Sequence, residues 1–382
     1  METWSAHRLY REAEPRLGPE TAYRLQEYAQ TLMDAGLPVV FSLGHLSRIT
    51  HVSYRTLRDT VDRRRESANY RMFAVGKRSG GLRFIHAVSG QLLSVHRFIN
   101  SEILQKVRPH PAAFAFHSDG GIRACAARHC SAQWLFHFDL SDFFYHVTEV
   151  DAYRVFARLG YRSLVAFEMA RICTTTRLPG HLTKLLWKRQ PSRFEEPLPY
   201  IHTPGPVGVL PQGAPTSPML SNLAATELDD KLSAFAHANG FVYTRYADDI
   251  TISTVSLPAS WSIAKIQRSV IGIIRRSGFR ENRRKLHVAR PGSRKIVLGL
   301  LVDGDQPRIS KATYHRIDRH LYAAERFGIP ETAAHEGFDS AYGFHNHLAG
   351  LISFVKDVDR ERWDEFAARL SRIEPPWKSY LQ

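Results

Sequence analysis

FVYTRYADDITIST, residues 241–254, is the most informative stretch of this chain. Two runs that alternate apolar and polar residues flank Ala247-Asp248-Asp249, a pattern that predicts a β-hairpin with two carboxylates at its turn. Like charges in contact repel each other, so adjacent aspartates are costly without a counter-ion. Carboxylate oxygens are hard ligands that suit Mg²⁺. The hairpin is therefore a candidate metal site, and a solvated Asp-Asp turn is the alternative.

A second predicted strand carries a third carboxylate. Residues 134–140, WLFHFDL, alternate so that Leu135, His137 and Asp139 share one face, with larger apolar side chains on the other. An aspartate at the end of such an apolar strand is costly unless it is solvated or binds a metal; a strand-end cap is the alternative. If this strand neighbours the hairpin, the three aspartates can hold two metal ions about 4 Å apart, as in-line nucleotidyl transfer requires.

Composition limits the class of protein. The 382 residues are enough for about two or three compact units, and 43% of them are hydrophobic. No apolar run approaches the ~18 residues of a membrane span, and the charged N-terminus lacks the apolar region of a signal peptide. The three cysteines form no self-contained disulfide framework. We therefore expect a cytoplasmic protein without a membrane partner.

The charge of the chain is strongly basic. Lys and Arg number 52 against 37 Asp and Glu, giving a net charge of +15. Residues 275–295 alone contain nine Lys or Arg against the single acidic residue Glu281. Such a surface attracts phosphate backbones; a soluble basic protein with no nucleic-acid partner is the alternative.

Three further segments have features of a nucleotide site. Residues 70–85, YRMFAVGKRSGGLRFI, predict a hairpin whose cations can approach a triphosphate. Residues 210–222, LPQGAPTSPMLSN, predict a rigid loop before a helix that begins with Ser217 as its N-cap and ends at Gly240. Residues 297–302, VLGLLV, predict a strand in which a glycine allows close backbone approach.

Together these segments resemble a known family. FHFDLSDFF, LPQGAPTSP and RYADD, in that order, resemble sequence blocks of reverse transcriptases, most closely the bacterial retron-type enzymes. The hairpin at 70–85, GFRENRRKLHV, VLGLLV and HLAGLISFVKDVD resemble further blocks of the family, from about residue 43 onward. The resemblance implies an α+β right-hand polymerase fold with fingers, a palm built on an antiparallel sheet, and a helical thumb. The implied divisions are an N-terminal helical region (1–60), fingers (61–133), palm (134–305, with an inserted fingers segment at about 160–205) and thumb (306–382).

The resemblance also implies roles for single residues. The metal ligands would be Asp139, Asp248, Asp249 and the backbone carbonyl of Leu140, holding two Mg²⁺ ions. The nucleotide-binding residues would be Lys77, Arg83, Phe144 and Gln212. The residues near primer and template would be Pro211, Gly213, Tyr246 and Gly299. Phe144 would reject the ribose 2′-hydroxyl and so select dNTPs, and Lys285 is the candidate general acid for pyrophosphate.

The function implied is RNA-directed DNA synthesis, in which a structured non-coding RNA serves as template and primer in a retron-type anti-phage defence system. Since no nuclease domain is expected after the thumb, an RNase H or effector protein is an expected partner. Two signatures depart from the retron pattern. Cys125 stands where Asn-Ala-x-x-His has Asn, although His129 is kept, and Leu298 replaces Thr in Val-Thr-Gly. Because both signatures are associated with recognition of the cognate RNA, one alternative is a defence-associated enzyme with template-independent or protein-primed synthesis. A separate alternative is a non-catalytic RNA-binding scaffold that keeps the fold without the activity.

Overall fold

A computed structural model of the chain describes residues 5–76, 80–187 and 206–377. The strands are β1 (Tyr70–Gly76), β2 (Leu82–Val88), β3 (Trp134–Asp139), β4 (Val242–Tyr246), β5 (Asp249–Thr254), β6 (His287–Ala289), β7 (Ile296–Val297) and β8 (Leu300–Leu301). The α-helices are α1 (Ala6–Leu17), α2 (Pro19–Asp34), α3 (Leu43–Thr50), α4 (Tyr54–Val61), α5 (Glu66–Asn69), α6 (Gly90–Phe98), α7 (Ile122–Ala127), α8 (Glu149–Arg158), α9 (Ser163–Cys173), α10 (Ser217–Ala224), α11 (Thr226–Ala238), α12 (Ile263–Arg276), α13 (Lys311–His335), α14 (Ala341–Val355) and α15 (Arg360–Arg372).

The central sheet has four antiparallel strands in the order β4-β5-β3-β6. β4 and β5 form the predicted hairpin, and the alternation predicted for β3 is confirmed. Phe136 and Phe138 enter one hydrophobic core, whereas Leu135 on the opposite face enters another. Because β3 is buried on both sides, its position is fixed by packing from two directions.

The two cores divide the helices. The larger core gathers residues from α2 to α4, α6 and α8 to α12 against one face of the sheet. The second core joins the opposite face to α13, α14 and α15, where Phe344 and Phe366 are completely buried. The C-terminal helices are thus packed directly on the back of the strand that carries Asp139.

Two sequence predictions about these elements are wrong. The helix predicted from Ser217 to Gly240 is two helices, α10 and α11, separated at Ala225, and Thr216 rather than Ser217 precedes the first. The Ser217 hydroxyl instead donates to the Pro211 carbonyl oxygen at 2.7 Å, which closes the preceding loop. The run at 297–302 is a two-residue hairpin between β7 and β8 rather than one strand, because Leu298 and Gly299 have φ angles of 50° and 85°.

The hairpin formed by β1 and β2 pairs from Tyr70↔Val88 to Gly76↔Leu82. Lys77 lies outside the described residues. The base of β2 is joined to the loop before α10, since the His86 N–H donates to the Gln212 carbonyl oxygen at 2.8 Å. The hairpin therefore leaves the body of the protein beside this loop.

The two retron-signature positions at α7 lie inside the protein. Cys125 and His129 are at most 1% exposed, and both side chains bond the hydroxyl of Thr244 on β4, at 3.3 and 2.7 Å. His129 also bonds Ser253 on β5 at 2.7 Å. These contacts fasten α7 to the back of the hairpin. None of the helices within the described ranges is long and apolar enough to cross a membrane.

Candidate active site

The sheet brings the three predicted aspartates to one end. Asp139 ends β3 and is directly opposite Asp249, the first residue of β5. Asp248 occupies the turn, and its carbonyl oxygen accepts a hydrogen bond of 2.9 Å from the Leu140 N–H. The turn is tight because Ala247 adopts a left-handed φ of 56°. Three carboxylates from distant parts of the sequence therefore share one sheet edge.

These carboxylates have more negative charge than their surroundings balance. Burial, followed by the charge of Asp139, raises the pKa of Asp248. Burial and the charges of the other two aspartates raise the pKa of Asp249 to about 6. A raised carboxylate pKa means that the environment disfavours the ionised form. The edge is therefore electrostatically prepared for a cation.

The cation nearest to this edge is Lys285. Its Nζ lies 2.5 Å from Oδ2 of Asp139, while the Asn282 amide donates to Oδ1 of Asp139 at 2.9 Å. Burial alone would lower the pKa of Lys285, but the hydrogen bond to Asp139 and the charges of the three aspartates raise it. The Lys285 side chain is 57% exposed, so it can move away without losing a packed position.

The donor set fits a divalent metal. Three carboxylates supply the hard oxygen ligands that Mg²⁺ prefers. No three acidic, imidazole or thiol groups in the described part of the chain already converge as a metal cage. Here Lys285 and Asn282 take both oxygens of Asp139, so Lys285 acts as the counter-ion that a bound cation would displace. Asn282 was not predicted as a site residue, although it is the Asn of the GF-x-x-N-x-x-K block.

Arg83 and Gln212, two of the residues predicted to contact the nucleotide, lie on neighbouring elements. Arg83 is exposed on β2, and its charge lowers the pKa of Asp248, so it lies within electrostatic reach of the aspartates. Gln212 is half-buried in the loop bonded to β2. Gly213 has a φ of 117°, and a Cβ there would lie 2.9 Å from the His86 carbonyl oxygen, so only glycine fits.

Phe144 is half-buried in a short 3₁₀-helix, Phe143–His146, that follows β3. Its ring centroid lies 5.7 Å from that of Phe143 and 6.3 Å from that of Phe116. Aromatic rings at such distances pack favourably and restrict one another. Phe144 is therefore a supported ring five residues after Asp139.

Tyr246 and Gly299, which were predicted to lie near primer and template, are on two different sheets. Tyr246 ends β4 opposite Asp249 and adjoins the aspartates through the strand register. Gly299 lies in the turn of the separate β7–β8 sheet, where a Cβ would come within 3.2 Å of the Phe354 ring on α14. Gly299 is thus joined to the C-terminal helices.

A basic cleft adjoins the other side of the β3 end. It has a volume of about 730 Å³. Its cationic lining residues are Lys184, Arg275, Arg280, Arg283 and Arg284. The buried carboxylate of Glu281 pairs with Arg275 and, at 3.1 Å, with Arg283, and the hydrogen bond from Arg275 is the main cause that lowers the pKa of Glu281 to about 2. A cluster of cations of this kind suits a phosphate-bearing ligand.

Comparison with known proteins shows the family of the chain. Residues 75–314 match the family model "Reverse transcriptase (RNA-dependent DNA polymerase)". The chain belongs to the reverse transcriptase family. It is 28% identical to the retron Ec86 reverse transcriptase of Escherichia coli, over 91% of this chain and 95% of that protein. It is 31% identical to the retron Mx65 reverse transcriptase of Myxococcus xanthus, over 87% of this chain and 72% of that protein.

This reverse transcriptase is therefore of the bacterial retron type, and it is an RNA-directed DNA polymerase. The expected α+β right-hand polymerase fold is confirmed. The structure of telomerase from Candida albicans aligns with 80% of this chain, at a TM-score of 0.39 and 13% identity, and the chain covers 56% of it.

Proposed function

We propose that this reverse transcriptase copies a structured non-coding RNA into DNA by two-metal nucleotidyl transfer at Asp139, Asp248 and Asp249. The observation that carries the proposal is the register pair Asp139↔Asp249, with Asp248 on the adjoining turn. It gathers three carboxylates whose negative charge Lys285 balances only in part. Such a set has no structural use that an uncharged turn would not serve better.

When bound, two divalent ions would favour ionisation of the primer 3′-hydroxyl and stabilise charge on the leaving pyrophosphate. The residues that would hold them are the three aspartates and the carbonyl of Leu140. Lys285 has a second role in the proposal. Once it leaves Asp139, its ammonium group can donate a proton to the pyrophosphate oxygen that departs, which is general acid catalysis. Its exposure supports this role, because an exposed side chain can move from Asp139 toward the leaving group.

The nucleotide would lie between the aspartates and the fingers hairpin. Lys77 and Arg83 would pair with its triphosphate, and Gln212 would contact the nucleotide or the adjacent template base, with Pro211 and Gly213 shaping the loop. Phe144 would exclude a 2′-hydroxyl. Tyr246 and Gly299 would lie near primer and template. The proximity of Arg83 to Asp248 and the bond between β2 and the Gln212 loop support this arrangement.

The wider roles rest on the relatives. The names of the relatives, retron reverse transcriptases, support an RNA template. The place in a retron-type anti-phage system is proposed from the sequence resemblance alone. The partners we propose are a structured RNA, the DNA product and an effector or RNase H protein, in the bacterial cytoplasm. We also propose the division into N-terminal region (1–60), fingers (61–133), palm (134–305) and thumb (306–382).

The test combines metal dependence with product sequence. The protein is purified from its native locus, bound nucleic acid is sequenced before and after RNase, and labelled dNTP incorporation is measured with Mg²⁺ and with EDTA. We expect Mg²⁺-dependent DNA complementary to one dominant small RNA. Repetitive DNA with no matching RNA would favour the template-independent alternative. Bound RNA without any incorporation would favour the scaffold.

A further inference from the structure

Directly behind the Asp248-Asp249 turn lies a charged residue that the proposed chemistry does not use. Arg245 is on β4, three residues before Asp248, and its side chain is completely buried. Its guanidinium forms a two-pronged ion pair with Asp229 of α11, at 2.8 Å from Nε and 2.6 Å from Nη2. Asp229 is also completely buried and accepts a further hydrogen bond of 2.6 Å from the Tyr243 hydroxyl.

Every N–H of this guanidinium has an acceptor. Besides the two bonds to Asp229, Nη1 donates to the side-chain oxygen of Asn222 at 2.9 Å and Nη2 to the Asn222 carbonyl oxygen at 3.5 Å. The fifth bond runs from Nη1 to the carbonyl oxygen of Ala247 at 3.2 Å. A guanidinium has five donors in a rigid plane, so its orientation is fully determined here.

The bond to Ala247 reaches the turn itself. Ala247 precedes the two aspartates and has a φ of 56°, a conformation that a non-glycine residue adopts only when its surroundings impose it. The backbone of Arg245 is fixed as well, because its N–H donates to Ala112 and its carbonyl accepts from Phe114. The guanidinium therefore holds the peptide that sets the direction of the next two side chains.

The same group adjoins the aromatic wall. The guanidinium carbon lies 5.7 Å from the centroid of the Phe143 ring, on the face that attracts cations. Phe143 in turn packs against Phe144. One buried cation thus contacts both the aspartate turn and the ring that supports the proposed sugar-selecting residue.

We propose that Arg245 is a positioning residue that fixes the Asp248-Asp249 turn and the Phe144 wall relative to each other. This inference rests on the proposed function, since it assigns a purpose to the geometry of that site. Stability alone does not explain the pair, because well-packed apolar residues often replace a buried ion pair without loss of stability. An apolar side chain, however, cannot hold a carbonyl oxygen in a strained turn.

The test uses Arg245→Lys, which keeps the charge but has only three donors on a flexible stem. The matched control is Arg58→Lys in the pair of Arg58 with buried Glu168, joined at 2.8 Å between α4 and α9. The first readout is Mn²⁺ affinity by electron paramagnetic resonance, in a complex with template and a dideoxy-terminated primer, so that no turnover is needed. The second is the Mg²⁺ concentration for half-maximal rate, and the third is the dNTP-to-rNTP preference.

For R245K we expect Mn²⁺ affinity and sugar preference each to fall about 5-fold or more, and kcat to fall about 10- to 100-fold, the usual cost of a misplaced reacting group. For R58K we expect a lower unfolding midpoint but wild-type values of all three readouts. A folded R245K protein with wild-type metal affinity and sugar preference overturns the inference, whatever its stability.

Two further outcomes are covered. If R245K does not fold, Asn222→Ala decides by the same criteria, because it removes the side-chain acceptor of Nη1 and leaves the ion pair intact, although it also removes the Asn222 amide bond to the Ala115 carbonyl oxygen. Wild-type behaviour of N222A then overturns the inference. If the wild-type protein incorporates no nucleotide, the proposed function fails, while the Mn²⁺ comparison still shows whether Arg245 positions the turn.

Discussion

The β4–β5 hairpin carries two kinds of charged group within five residues, Arg245 and the pair Asp248-Asp249. They differ in how completely their charge is balanced by partners within the protein. Arg245 is completely buried, and all its donors are paired. Asp248 and Asp249 lie at the turn of the same hairpin, and the charges of neighbouring carboxylates help to raise their pKa values beyond the effect of burial. Charge that serves the fold is balanced within the protein, whereas unbalanced charge marks a place for a ligand. The predictions below test this contrast, from the largest expected effect to the smallest.

The largest effect, on the rate of nucleotide incorporation, is expected at the Asp248-Asp249 turn. Asp248→Asn with Asp249→Asn should lower the incorporation rate by about 1,000-fold or more, because several kcal/mol of transition-state stabilisation would be lost. The unfolding free energy should stay the same or rise by about 1 kcal/mol, since repulsion between adjacent like charges is removed. Single-turnover incorporation and chemical denaturation measure the two quantities. A double variant that incorporates dNTPs normally would refute the site assignment.

For the buried pair of Asp229 and Arg245, we expect a large loss of stability, in contrast to the unchanged stability expected at the aspartate turn. Asp229→Ala leaves Arg245 as a buried charge without its partner, so the unfolding free energy should fall by about 3–5 kcal/mol. Denaturation with urea measures this loss. A loss below about 1 kcal/mol would mean that water reaches Arg245, and the contrast between the two regions would then fail.

The position of the Asp248-Asp249 turn could be predicted from the sequence far better than the buried ion pair of Arg245. The alternation around Ala247-Asp248-Asp249 and in β3 is local, so the hairpin and the two-sided burial of β3 could be predicted. The resemblance to reverse transcriptases supplied the order of the remaining blocks. Arg245 was missed because an arginine on a strand is mostly exposed. Its partner Asp229 is 16 residues away on a helix that also exposes acidic residues.

Other misses have similar causes. Asn282 contacts Asp139 across 143 residues of sequence, and no local pattern indicates such a bond. The break at Ala225 between α10 and α11 contains neither glycine nor proline, so it has no turn signal. Leu298-Gly299 was placed within a strand because the apolar run continues through it. Only the positive φ angles reveal the turn.

A third prediction concerns a polar group that is buried without charge. His96 is completely buried, bonded to Thr216 at 2.8 Å and Tyr70 at 3.2 Å, and burial lowers its pKa to about 4. Between pH 6.5 and 4, His96 is largely protonated in the unfolded chain but largely neutral in the native protein. The unfolding free energy therefore falls as the pH falls. The loss from this one residue should reach about 3 kcal/mol at pH 4 and vanish above pH 7.

The measurement is the unfolding free energy between pH 4 and 7. His96→Gln keeps hydrogen-bonding atoms but cannot titrate, so its slope over pH 4–6 should be smaller by about 1 kcal/mol per pH unit, since the two states differ by somewhat less than one proton across this range. An unchanged slope would show that His96 is protonated in the native protein. The claim that buried polar groups of this protein are satisfied by partners within it would then fail for His96.

The smallest effect is expected on the surface. Arg360 and Asp364 of α15 lie 3.5 Å apart, with side chains 64% and 60% exposed. Water and salt screen such a pair, so its contribution is about 0.5 kcal/mol or less. Alanine also has the higher helix propensity, which offsets part of that loss. Asp364→Ala should therefore change the unfolding free energy by less than about 0.5 kcal/mol in both 50 mM and 1 M salt, with the contribution of the ion pair smaller in 1 M salt. A loss of unfolding free energy above about 1 kcal/mol for D364A, seen at low salt only, would contradict this prediction. An exposed ion pair would then stabilise the protein as much as a buried one, and burial would not explain the difference between Arg245 and Asp248.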